Sequence, residues 1–117
     1  MAINYIHKSL AGGRWETLTL AEQMGNIGSE VSRAQIFFAK HDKEKCFNAV
    51  ARGLELIDLT IAHAQKQKRS GALKELCRVR EVMCDYFLGP NEYRTDIKSL
   101  QLYFDQFAIS AAIKKRK

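Results

Sequence analysis

The sequence predicts an all-α protein: an up-and-down antiparallel four-helix bundle with a short N-terminal arm. Three observations predict it. Apolar residues recur at alternating spacings of three and four in four separate segments. A capping residue stands before each segment, and the links between segments are short, which makes consecutive helices antiparallel neighbours. No stretch alternates with period two over a useful length, so no strand is expected.

Residues 1–16 show no clear period, and Gly12-Gly13 interrupts the chain before Arg14 and Trp15. They read as an arm whose Trp15 tucks against the bundle. The first helix opens on Thr19-Leu-Ala-Glu22, a capping box in which the hydroxyl and the carboxylate satisfy each other's backbone N–H groups. Leu20, Met24, Ile27, Val31, Ala34 and Phe38 then form one helical face that runs to about Lys40. A second row holds only small residues: Ala21, Gly25, Gly28 or Ser29, and Ser32. A glycine inside a helix costs about 1 kcal/mol against alanine, so the row predicts another helix backbone packed close by.

Asp42 is the expected cap of the second helix, whose apolar row is Phe47, Val50, Leu54, Ile57, Ile61 and Ala64. Leu56, Leu59 and Ala62 widen that row beyond a single stripe. Ser70 is the expected cap of the third helix, with Leu73, Leu76, Val79, Met83 and Tyr86 facing the core, joined by Cys77, Cys84 and Phe87. Gly89-Pro90 should stop it, the glycine in a left-handed conformation. Thr95 is the expected cap of the fourth helix, with Ile97, Leu100, Phe104, Phe107 and Ala111 facing the core, and Tyr103 and Ile109 beside them.

The 117 residues fit one domain, comprising the 1–16 arm, the bundle and a 114–117 basic tail. Charged residues make up 27% and proline occurs once, which argues against a disordered or collagenous chain. No apolar run is long enough for a membrane span, so no membrane association is expected. The N-terminal residues lack the basic start and apolar core of a signal peptide. Cys46, Cys77 and Cys84 are odd in number and form no Cys-x-x-Cys pair, so they read as free thiols packed as small hydrophobes in a cytoplasmic protein.

No nucleophile–base arrangement, metal-ligand spacing or nucleotide-binding loop stands out. The sequence therefore suggests no catalytic residue and no cofactor, and favours a non-enzymatic module. The chain contains no Glu-x-x-His, the motif that di-metal bundles require, and His7, His41 and His63 are scattered, so no metal site is expected and each histidine reads as solvent-exposed.

Three features need a role. Glu30, Glu55, Asp58, Arg80 and Asp85 lie among or beside apolar rows and read as one Arg80-centred polar cluster: an ion-pair network that fixes helix register, a ligand or catalytic cleft, or simply solvent-exposed charges. Lys66, Lys68 and Arg69 end the second helix, and Lys114, Lys115, Arg116 and Lys117 end the fourth, so an up-and-down bundle gathers them at one pole. The formal net charge is +6, of which the last four residues supply +4. This focus suits a nucleic acid or an acidic protein partner, and equally the dipoles of the helix C-termini. Apolar residues are more numerous than four single stripes hold, which suits a fuller core, cover by the arm, or equally a homo-oligomer interface.

At Glu22-Gln-Met-Gly-Asn-Ile-Gly-Ser-Glu-Val-Ser-Arg-Ala34, Leu54-Glu-Leu-Ile-Asp-Leu-Thr60, Arg80-Glu-Val-Met-Cys-Asp-Tyr-Phe87 and Asn91-Glu-Tyr93 the chain resembles a family of short bacterial four-helix-bundle proteins with no assigned activity. The resemblance covers most of residues 15–110 and implies a fold rather than a reaction. More loosely, the chain is similar to HEPN-type bundles, which include RNA-cleaving toxins and partners of minimal nucleotidyltransferases. Their motif is an arginine, four to six residues, then a histidine. Here Arg80 is followed by four residues and then Asp85, and a carboxylate does not simply replace a histidine in proton transfer. The resemblance implies a degenerate or altered nucleic-acid-associated bundle. The four-helix proteins encoded in ribosomal-RNA intervening sequences share the architecture only.

Overall fold

The computed structural model describes residues 12–116, with side chains to 115. A 3-10 turn, Arg14–Thr17, leads into α1 (Leu20–Ala39), α2 (Lys43–Lys66), α3 (Ser70–Leu88) and α4 (Ile97–Arg116), with no strand among the described residues. The antiparallel four-helix arrangement is the one expected. Helices α1 and α2 form the central pair; α3 packs on α2 and α4 packs on α1. Between α3 and α4 the bundle is open, leaving a cleft of about 630 Å³ floored by Val79, Val82 and Leu100.

Helix starts follow local chemistry. The capping box forms: Glu22 N–H donates to Thr19 Oγ1 at 3.1 Å, and Thr19 N–H donates to Glu22 Oε1 at 3.0 Å. Asp42 Oδ1 accepts from Lys45 N–H at 3.1 Å. The other two caps differ from expectation. Arg69 holds the cap position of α3 without a side-chain hydrogen bond, and Ser70 is already helical. At α4 the capping is done by Asp96, which accepts from Lys98 N–H at 3.1 Å, while Thr95 lies a residue too early and donates its N–H to Asn91 Oδ1. Gly89 is extended rather than left-handed; the left-handed residues of that link are Asn91 and Arg94.

The core gathers Met24, Ile27 and Val31 of α1, Leu56 and Ile57 of α2, Leu76 and Met83 of α3, and Leu100 and Phe104 of α4. Each such side chain contributes about 1.5–3 kcal/mol of burial. A helix packs close against the small-residue row of α1, as expected, and that helix is α4: a Cβ at Gly28 would lie 2.6 Å from Phe104 Cβ, and one at Gly25 would lie 3.2 Å from Ala108 Cα. Several residues expected in the core are outside it. Phe38 and Phe47 end their rows at one pole and are 49% and 58% exposed. Ile109 faces water, and of the three free thiols only Cys46 is buried, Cys77 being exposed.

Candidate interaction surface

The expected Arg80-centred cluster resolves into separate sets of bonds. Arg80 grips Asp58 through Nε–Oδ1 at 2.7 Å and Nη2–Oδ2 at 3.5 Å. This pair, one turn from Cys84, is substantially exposed, so water screens it and its worth is about 0–1 kcal/mol. Asp58 nonetheless raises the guanidinium's pKa above its already high ordinary value, so Arg80 stays charged. Glu30 is buried on α1 and is held by Arg33 Nη1 at 2.6 Å and Arg52 Nε at 3.0 Å. Asp85 accepts the N–H groups of Glu92 and Tyr93 at 2.8 and 3.0 Å, tying the α3–α4 link back onto α3. Glu55 is half-buried on α2. The carboxylate of Asp85 thus binds backbone, and that of Asp58 binds Arg80. No group of three His, Cys, Asp or Glu side chains able to hold a metal ion lies among the described residues.

The ends of α2 and α4 do lie beside the start of α1. That pole is less purely basic than expected, because two carboxylates sit in it. Lys66 Nζ donates to Glu16 Oε1 at 2.8 Å, and Lys115 Nζ lies 3.4 Å from Glu22 Oε2. Glu16 is held below the usual carboxylate range by the Lys66 hydrogen bond and charge, and Glu22 by the Thr19 N–H and hydroxyl, with Lys115 adding to them. Lys68, Arg69 and Lys114 are exposed. The Arg116 side chain and Lys117 lie outside the described residues.

A polar network invisible in the spacing pattern sits under this pole. Trp15, 2% exposed, donates its indole N–H to Thr60 Oγ1 at 2.9 Å, and the Thr60 hydroxyl in turn donates to Leu56 O at 2.9 Å. Gln23, also buried, donates to Trp15 O at 2.9 Å and lies 3.3 Å from His63 Nδ1. His63 is therefore half-buried and partnered, contrary to the expectation for all three histidines; His41 is exposed, and His7 lies outside the described residues. Only the tucking of Trp15 is legible in the sequence.

One exposed apolar surface is the outer face of α4. Leu102, Ile109 and Ile113 are 62%, 60% and 52% exposed. At about 100° per residue these three lie within about 40° of one another, with Gln106 about 20° beyond Ile113. Leu100, Phe104 and Ala111 occupy the opposite side, toward the core. The helix is apolar on two faces, and among the described residues only one of them is covered. The spacing of seven and then four between Leu102, Ile109 and Ile113 carries this stripe in the sequence, but there Ile109 reads equally well as the edge of the core row.

Compared with known proteins, the chain matches no family model, no curated protein and no solved structure. None of the described helices is long and apolar enough to cross a membrane.

Proposed function

We propose that this chain is a non-enzymatic assembly module that associates with a second copy of itself through the outer face of α4. The single observation that carries the reading is the Leu102–Ile109–Ile113 stripe, three large aliphatic side chains each more than half exposed on one side of one helix. The Leu102, Gln106, Ile109, Ile113 spacing is the four-three-four step with which helices pair along a seam. A stripe of this kind is self-complementary, as a two-fold interface requires.

Charge favours an antiparallel pair. A parallel one would bring two copies of Lys114-Lys-Arg-Lys117 together, whereas the opposite end of α4 carries Asp96 and Lys98, which cancel. Antiparallel pairing sets Leu102 of one copy near Ile113 of the other and leaves both basic ends free for an acidic partner.

Sedimentation velocity across a concentration series tests the reading. The wild type should shift from monomer to dimer as concentration rises, and Leu102→Asp with Ile109→Asp should remain monomeric with unchanged helical circular dichroism. A wild type that stays monomeric throughout, or a dimer indifferent to both substitutions, would exclude it.

A further inference from the structure

At the pole opposite the basic one, where the turn between α1 and α2 meets the end of α3, lies a cavity of about 470 Å³. Its walls are Phe37, Phe38, Phe47, Phe87 and Leu88. Phe38, Tyr86 and Phe87 hold one another in place, with Phe38 at 5.9 Å from Tyr86 and 6.3 Å from Phe87, and the Tyr86 and Phe87 rings edge to face at 4.9 Å. This mutual contact gives the wall a fixed shape. Phe38, Phe47 and Leu88 are nevertheless each about half exposed. The cavity lies within the roughly 300–1,000 Å³ range of small-molecule sites, which combine apolar walls with a few polar groups.

The polar lining is His41, Asp42, Lys43 and Cys46. Asp42 is already engaged: Oδ1 accepts the Lys45 N–H, and Oδ2 lies 4.0 Å from Lys45 Nζ. Lys45 itself leans over the Phe37 ring at 5.6 Å. The Cys46 thiol is buried in the wall, and burial raises its pKa, so it presents a neutral surface. Lys43 makes no ion pair among the described residues. The group at the mouth with an uncompensated charge is therefore a cation, with the His41 imidazole beside it.

We propose that this cavity is a binding site for a small aromatic anion, its ring system against Phe38, Phe47 and Phe87 and its acid group at Lys43. Aromatic walls favour a flat ring through edge and face contacts, and the free ammonium selects an acid over its uncharged counterpart. No residue of α4 lines the site, so it does not depend on assembly through that helix.

The probe is anilinonaphthalene sulfonate, compared with uncharged phenylnaphthylamine, by calorimetry and fluorescence on the folded full chain. One sulfonate should bind per chain, about tenfold tighter than the uncharged dye, a difference of about 1.4 kcal/mol. Lys43→Glu should remove that preference, and Phe47→Ser should abolish binding while circular dichroism and the urea midpoint stay close to wild type. The Leu102→Asp, Ile109→Asp variant should bind as wild type does, whatever its oligomeric state. Equal affinity for the two dyes, binding that survives Phe47→Ser, or loss of binding in the α4 variant would each overturn the proposal. A Phe47→Ser variant that changes oligomeric state would do so too, because the cavity would then be an interface between copies.

Discussion

Individual residues show how much a few ångströms decide. Gly28 and Gly71 both stand in helices, yet their substitutions should act with opposite signs. A Cβ at Gly28 would fall 2.6 Å from Phe104 Cβ, and Phe104 is fully buried with nowhere to retreat. Gly28→Ala should destabilise by about 1–3 kcal/mol of overpacking, reduced by the better helix propensity of alanine. A Cβ at Gly71 meets nothing within 4 Å, so Gly71→Ala should raise the urea midpoint by the equivalent of about 0.5–1 kcal/mol. Equilibrium urea unfolding of both variants checks the pair. Glu30 makes a second case. Its carboxylate is nearly buried, while Arg33 and Arg52 are 55% and 32% exposed, so the arginines can turn to water once it is gone. Glu30→Ala should therefore cost about 1–3 kcal/mol, below the range for breaking a fully buried pair, and the same unfolding measurement would show it. The tight packing at Gly28 was legible in sequence because a row of small residues along one helical face leaves a groove that only a close neighbouring backbone can fill. The partners of Glu30 were not, because several arginines were in reach by sequence and only the rotation of α2 against α1 selects Arg52.

At the scale of elements, the sequence settled where helices run better than what each helix end or face meets. Periodicity located all four helices because a 3.6-residue repeat is averaged over some twenty positions and survives single exceptions. A cap rests on one side chain: Thr19 and Asp42 cap as expected, whereas Ser70 was absorbed into α3 and Asp96 displaced Thr95. The 3-10 turn at Arg14–Thr17 had no periodic signature, since four residues make barely one repeat; its position comes from the Trp15–Thr60 hydrogen bond and the Gln23 bond to Trp15 O. That dependence yields a prediction. Thr60→Val keeps the side-chain shape but leaves a buried indole N–H unpaired, which should cost about 1–3 kcal/mol, while Thr60→Ser keeps an acceptor and should cost less. Trp15 fluorescence should shift toward the red in the valine variant as the turn loosens, and an unchanged spectrum would mean that the turn is held by packing alone. The same reasoning accounts for the outer face of α4: a helix apolar on two sides gives a blurred pattern, and its free side could be recognised only after packing had identified the covered one.

The molecule as a whole is asymmetric about its central pair. Helices α1 and α2 contribute most of the buried residues, whereas α3 contributes only Leu76, Val79 and Met83 and faces α4 across an open seam. Among the described residues one hydrogen bond spans that seam, from the Tyr103 hydroxyl on α4 to Glu75 Oε1 on α3 at 2.5 Å. Burial raises the pKa of the Tyr103 phenol, and the Glu75 hydrogen bond and charge raise it further. The folded chain therefore holds this proton more tightly than the unfolded chain does. The stability that follows is fully present below the unfolded phenol's pKa, about 10, and declines as pH rises from there toward the folded value. Tyr93 beside Glu81 has the same sign and adds to the alkaline slope, so the wild-type profile alone does not isolate Tyr103. The difference between wild type and Tyr103→Phe does. At neutral pH the phenylalanine variant should be the less stable of the two, having lost the bond across the seam, and the gap should narrow as pH rises past about 10 because only the wild type has that contribution to lose. Urea midpoints for both proteins from neutral to alkaline pH measure this gap; one of constant width would mean that the phenol's proton is not what joins α3 to α4. Hydrogen exchange gives the structural counterpart, with α3 amides exchanging faster than those of α1 and α2, and faster still in Tyr103→Phe at neutral pH, because α3 would then lack that tie to α4.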